Sequence, residues 1–467
     1  MQIVHQFIKA INLKVLEQGD LLPGSRKIAE VLNVHRKTVI AALSELQDQG
    51  WIESKANIGT FVKNPIIPAF LPGVKQPTQP PPKAAYQYRK ELILDLPVSA
   101  TPGKYNFTDG TADEQMIDIV ELTRYYTGVL KRKKKMPMMP NVMEGDSFFR
   151  DQLSIYLNLT RGFHISRKFL LPVTSKEKIL SILARLFIHV GDVVLVGTLS
   201  YFLPNMIFNQ AGAKIKTVPV DKEGIDVDYI EVNFKPGEIR CLYLNSLCYY
   251  PTTVRLSDKR KNKLLQLAEA YNFIVIEDDD DFEFSGLKDK TDSLFKRDGG
   301  NRVIYMGTIG KFLNSNFQMH FLIAPADILE EAKKYLNVFG KTNFMLEKAL
   351  GEMIYQGEIL RYHRKAQKII NGRKLAFAQL LDTYFKGRVT FEIPESGLAF
   401  WVVFQGRISL IELQTEVMNS GLLIPTTCLY QNKEITAMRL GFAHLNQQNM
   451  EHAIQIWCQA CLKLSLT

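Results

Sequence analysis

Apolar positions change their period along this chain. Ile28, Val31 and Leu32 follow Ser25 at helical spacing, and Val39, Leu43 and Leu46 recur after Arg36. The first run predicts a short helix with Ser25 as its capping residue. The second predicts a helix from about Arg36 to Gln49, stopped by Gly50. Asn33-Val34-His35 is the turn between them. Two short strands follow, Trp51–Ser54 and Thr60–Val62, flanking the turn-rich tip Lys55-Ala56-Asn57-Ile58-Gly59. Helix, turn, helix and wing, in that order, predict a winged helix-turn-helix.

The pattern then breaks. Residues 65–82 carry seven prolines, too many for a core, and predict an extended spacer over 65–90. From about residue 91, short apolar segments alternate with helical ones. Asp192–Val196, Arg240–Leu244, Phe273–Ile276 and Val303–Tyr305 read as strands, Lys176–His189 and Lys259–Tyr271 as helices. This alternation predicts an α/β fold whose parallel sheet has helices on both faces.

Composition narrows the picture little. The 467 residues are 46% hydrophobic and 23% charged, which excludes bulk disorder and calls for two or three domains. No apolar run reaches transmembrane length and the start does not read as a signal peptide, so a cytoplasmic protein with no membrane partner is expected. Five scattered cysteines suit a reducing compartment, and Cys458 and Cys461 read as two buried thiols one helical turn apart. The formal charge is +10, of which residues 1–64 hold +2 (eight Lys/Arg, six Asp/Glu), so charge alone is no signature of DNA binding.

Placement within the predicted winged helix says more. The second helix would enter a major groove by its N-terminal end, where Arg36, Lys37 and Thr38 stand, able to reach base edges or phosphates. Ser25 and Arg26 begin the preceding helix, a position suited to phosphate. Lys55 and Gly59 lie in the wing. These seven are the candidate DNA-binding residues; the alternative is a helical hairpin with ordinary surface cations.

The segment LPGSRKIAEVLNVHRKTVIAALSELQDQGWIESKANIGTFV resembles the winged helix of GntR transcription regulators, over about residues 8–63. Its Gly24 stands where that family usually has a small hydroxyl residue. Further on, GDSFFRDQLSIYLNLTRGFHI, VTSKEKILSILARLFIHVGDVVLVGTLSY, FIVIEDDDDFEF, VIYMGTIGKFL and MRLGFAHL resemble the class I/II aminotransferases of fold type I. The combination resembles the MocR/GabR group of regulators. It implies a large lobe over 91–345 and a small lobe over 346–467, a homodimer, a duplex DNA operator, and a small-molecule effector such as an amino acid or a vitamin B6 form.

The resemblance also implies a pyridoxal phosphate site. Lys311 would form the Schiff base, Asp278 would hold the pyridinium nitrogen, Tyr201 would stack on the ring, and Arg439 would grip a carboxylate. Physically, Asp278 and Lys311 both follow predicted strands, where open α/β sheets place ligands, and Arg439 is expected after a short strand. Departures make the site degenerate. Thr174-Ser175-Lys176-Glu177-Lys178 replaces the family's Gly-Ser-Gln phosphate cradle. Gly310 replaces the serine before the lysine, Gln318 a phosphate-binding arginine, and Asp280 a tyrosine. Cys248-Tyr249-Tyr250-Pro251-Thr252-Thr253 replaces the His-Gln-aromatic-Pro-Thr-Gly segment.

Six acids fall within Glu277–Glu283 and would oppose a phosphate unless cations such as Lys176 or Lys178 compensate. A solvated loop is expected for the acids beyond Asp278. No metal site is expected, because EF-hand spacing is missing. Three readings stay open: a regulator with an effector-sensing, dimerising aminotransferase-like domain; an active pyridoxal-phosphate transaminase with a DNA-binding appendage; and a cofactor-free sensor of carboxylates. The departures weigh against turnover.

Overall fold

The computed structural model describes residues 2–63, 83, 87, 90, 94, 103–131, 144–285, 292–314, 317–340 and 342–464. Most of the expected linker lies outside these. The chain divides into two compact units, Met1–Lys90 and Glu91–Thr467.

In the first unit, α1 (Gln2–Asn12), β1 (Leu21–Leu22), α2 (Ser25–Val31), α3 (Arg36–Asp48), β2 (Ile52–Lys55) and β3 (Gly59–Val62) follow in order. Val4, Leu22, Ala42, Leu46, Ile52 and Val62 form a small core. The wing has three strands, β1 pairing with β3 alongside the expected hairpin of β2 and β3. At two residues, β1 is too short to carry an alternating signal. One detail corrects the sequence reading: Gly24, not Ser25, is the N-cap of α2, and Ser25 is its first helical residue. Gly50 takes a positive φ of 77° just beyond the Gln49 C-cap of α3.

The second unit is built on a seven-stranded sheet. Its chain runs through α4 (Ser147–Arg161), β4 (Leu170–Val173), α5 (Lys176–Phe187), β5 (Val193–Gly197), α6 (Phe202–Gln210), β6 (Lys214–Val218), β7 (Ile239–Leu244), α7 (Asp258–Tyr271), β8 (Ile274–Asp279), β9 (Val303–Ile309), β10 (Met319–Ile323) and α8 (Ala326–Phe339). The spatial order is β4-β10-β9-β8-β7-β5-β6. All neighbours are parallel except β10, which runs antiparallel to both β9 and β4. The sheet is therefore mixed, a departure from the all-parallel expectation.

Alternate strand residues feed two cores, as the period of two requires. Val193, Leu195, Val275, Val303 and Tyr305 point into one core with α4 and α7. Val194, Val196, Ile276, Ile304 and Met306 point into the other with α5, α6 and α8.

A second sheet, β11 (Val389–Phe391), β12 (Ala399–Phe404), β13 (Leu429–Gln431) and β14 (Thr436–Gly441), is antiparallel in the order β11-β12-β14-β13. It packs beside the long helix Glu358–Phe385 and the last helix, Gln447–Leu464. That last helix buries Cys458 and Cys461, and neither is in a disulfide. No helix among the described residues is long and apolar enough to cross a membrane.

Candidate functional site

In the first unit, Arg36, Lys37 and Thr38 form the first turn of α3, and all three are exposed. The His35 ring caps that turn, accepting from the Lys37 N–H at 3.3 Å. Arg36 Nε donates to Ser25 Oγ at 3.3 Å, so the starts of α2 and α3 are tied together. Arg26, beside Ser25, is exposed. Lys55 lies over the Phe61 ring at the wing, 5.3 Å from its centroid. Gly59 has a structural reason to be glycine: its φ is 145°, and a Cβ would come within 2.5 Å of Leu21 Cδ1.

In the second unit, Asp278, Lys311, Tyr201 and Arg439 line one cavity of about 500 Å³. Asp278 lies within the end of β8, not after it, and Arg439 lies within β14. Lys311 follows β9 after Gly310, whose φ is 83° and where a Cβ would stand 2.6 Å from the Phe317 carbonyl oxygen. A serine on this backbone would be strained and would crowd that carbonyl. The Glu283 carboxylate holds the turn, accepting the Gly310 N–H at 3.0 Å and the Lys311 N–H at 2.8 Å.

The acidic run is not the solvated loop expected. Pleating sends Glu277 and Asp279 to one side of β8 and Asp278 to the other. Glu277 accepts from Ser246 and from the Leu294 and Phe295 N–H groups at 2.9 and 2.8 Å. Asp279 pairs with Arg161, and Tyr305 donates to it at 2.7 Å. Burial pushes Glu277 up to about 7 and Glu283 up to about 8. These acids are dispersed in the chain's interior because each has its own donors, which a linear sequence does not display.

On the cavity side, Lys176 Nζ lies 2.5 Å from Asp278 Oδ2 and 5.5 Å from the centre of the Tyr201 ring. The Tyr243 hydroxyl also donates to Asp278. Lys311 Nζ donates to Asp280 at 2.6 Å and to Asp281 at 2.8 Å. Burial alone would lower the Lys311 amine, but these two carboxylates override it and hold it above its ordinary value. The Thr308 hydroxyl donates to Asp280 and lies 2.7 Å from His320 Nδ1. Lys176 was legible as a compensating cation; Lys178 does not line the cavity. Arg161, Tyr243 and His320 carried no sequence signal, because the fold brings them in from separate strands and helices.

Arg439 is 4% exposed. Its Nε donates to the Asp109 carbonyl at 2.7 Å and one terminal nitrogen to the Pro251 carbonyl at 2.9 Å. Its guanidinium lies 4.6 Å from the centre of the Tyr250 ring. Among the described residues no carboxylate pairs with it.

Fold type I implies pyridoxal phosphate, and these residues can be tested against it. One atom suits it: Asp278 Oδ1 is buried without a partner. Three features oppose it. A pyridinium reaching Asp278 would stand beside the Lys176 ammonium at the same carboxylate and over the same Tyr201 ring. Lys311 is held charged by two carboxylates, whereas a Schiff-base lysine must offer a neutral amine. Among the described residues, eight acidic ones border the cavity against three lysines and arginines, even with the Asp279 carboxylate turned to Arg161 behind the sheet, and Gln318 on its wall is uncharged. The residues present do not fit the cofactor.

A winged helix-turn-helix followed by a fold type I unit defines a class of chimeric protein. Comparison places both parts. Residues 1–62 match the bacterial regulatory proteins of the gntR family. Residues 140–456, more than half of the chain, match aminotransferase class I and II, so the chain belongs to that family and carries a gntR-family DNA-binding head. It is 24% identical to the uncharacterized HTH-type transcriptional regulator YdfD of Bacillus subtilis, over 97% of this chain and 94% of the relative. It is 23% identical to the probable rhizopine catabolism regulatory protein MocR of Rhizobium meliloti, over 82% and 77%. An archaeal alanine:glyoxylate aminotransferase superposes with a TM-score of 0.70 at 23% identity, covering 77% of this chain and 91% of that one.

Proposed function

We propose that this protein is a transcription regulator that binds an operator in duplex DNA, in the cytoplasm, and that its aminotransferase-like unit is the dimerising and effector-sensing module. The observation that carries this reading is the start of α3, with Arg36, Lys37 and Thr38 exposed on its first turn beside a wing. Relatives named as HTH-type transcriptional regulators over nearly their full length support it. Two such units in a dimer would read half-sites at a fixed spacing.

The effector is a small carboxylate such as an amino acid. Arg439 is buried, its direct contacts are backbone oxygens and a ring face, and among the described residues no carboxylate forms an ion pair with it; a bidentate carboxylate is the ligand its guanidinium suits. Ligand binding at the junction of the two sheets would couple to DNA affinity by about 1–3 kcal/mol, the usual range for allosteric linkage.

The test is selection of duplexes from a random pool by the full chain, followed by titration of the winners. Arg36→Ala/Lys37→Ala should abolish specific binding and, if both contact phosphate, flatten the salt dependence by about two units of log–log slope. Unchanged affinity would remove the assignment of α3 as the reading helix.

A further inference from the structure

A pyridinium ring bound to a fold type I site makes two contacts that fix it: its ring nitrogen meets a carboxylate, and its face meets an aromatic side chain. In this protein both contacts are made from within. Lys176 Nζ stands 2.5 Å from Asp278 and 5.5 Å from the centre of the Tyr201 ring. The side chains of Lys176 and Asp278 are 15% and 1% exposed, so the pair lies in the cavity wall rather than on the surface. Its second carboxylate neighbour is Asp280, at 3.9 Å.

We infer that Lys176 is a built-in counter-ion standing where the pyridinium ring would, so that this aminotransferase-like domain takes no pyridoxal phosphate, and Lys311 is an ion-pair partner of Asp280 and Asp281 rather than a Schiff-base lysine. The two substitutions act together. Asp280 stands where the family has a tyrosine, and it gathers Lys311, Thr308 and, at longer range, Lys176. A neutral hydroxyl there would leave Lys311 one carboxylate fewer. Lys176 stands in the former phosphate cradle, at the first turn of α5, and its side chain turns to Asp278. The cation best placed to meet a phosphate thus answers the carboxylate that would have met the ring. His320, also on the wall, is held by Thr308, and burial lowers its proton affinity.

The inference stands apart from DNA reading by α3 and from carboxylate binding at Arg439, so each can fail alone. The full chain is mixed with excess pyridoxal phosphate, its visible spectrum recorded, and the mixture reduced with borohydride and digested for mass mapping. No saturable visible band and no phosphopyridoxyl group on Lys311 are expected. A band of one equivalent that vanishes in Lys311→Ala overturns the inference. The variant Lys176→Ala/Asp280→Tyr should gain a Lys311-dependent band; a folded variant that stays colourless also overturns it, since the ion pairs would then not be the cause.

A second measurement needs no variant. In competitive acylation of the native chain, Lys311, ion-paired with Asp280 and Asp281, should react more slowly than exposed lysines. Reaction at the exposed-lysine rate counts against a locked ammonium.

Discussion

Replacing Arg161 with methionine keeps the length of the side chain and removes its charge. Arg161 and Asp279 are 2% and 6% exposed, and they pair directly. The variant leaves Asp279 buried with the Tyr305 hydroxyl, at 2.7 Å, as its remaining side-chain donor. Stranding one member of a buried pair costs about 3–5 kcal/mol, because the carboxylate keeps its desolvation penalty and loses its compensation. At roughly 2 °C per kcal/mol for a large domain, the thermal midpoint of the second unit should fall by ~6–10 °C. The double variant Arg161→Met/Asp279→Leu removes both charges and should recover most of that loss.

The sign with pH is fixed as well. Burial already raises Asp279 above its ordinary value, and losing Arg161 raises it further. A carboxyl whose folded value exceeds its unfolded one favours folding while protonated, and that stability is lost as pH rises through the folded value. The deficit of the single variant should therefore be largest at neutral pH and shrink toward about pH 4, near the unfolded Asp value. The assay is calorimetry or urea unfolding of both variants across that range. A single variant that loses under about 1 kcal/mol, or a double variant no better than the single, would falsify the buried-pair account.

Other outcomes follow from the same structure. Glu277 and Glu283, pushed up to about 7 and about 8, should make the second unit lose stability as pH rises from about 5 to about 8, and Glu283→Gln should flatten that profile in urea titrations. Leu46→Ala should cost the winged-helix unit about 2–5 kcal/mol, since Leu46 is fully buried in its small core; a midpoint unchanged by circular dichroism would contradict the packing. Gly59→Ala should destabilise the same unit and, even at saturating protein, weaken DNA binding through a displaced wing. Small carboxylates that raise the melting temperature should cease to do so in Arg439→Gln; an undiminished shift would place their site elsewhere.

Both architectures were legible in sequence because each is written in local periodicity. The spacing of Ile28, Val31, Val39, Leu43 and Leu46 gave the two helices, and short apolar runs gave the strands β5, β7, β8 and β9 to within a few residues. What escaped was short or non-local. The two-residue β1 makes no pattern of its own, and the antiparallel run of β10 follows from chain routing rather than from its residues. Lys311, Asp278, Tyr201 and Arg439 were picked out one by one, and the fold brings all four to one cavity.

Sequence alone determined which charges stand where along the chain; tertiary structure decided which of them meet. Six acids within Glu277–Glu283 looked like a solvated loop because a run of like charge is ordinarily stable only in water. A strand alternates its faces, so the fold sends those acids to different partners: Arg161 behind the sheet, Lys176 and Lys311 in the cavity, backbone N–H groups at two turns. Which cation answers which carboxylate depends on contacts between residues far apart in the chain, as between Asp278 and Lys176 or Asp279 and Arg161. The energy of those pairs depends on burial, which only the packed chain defines.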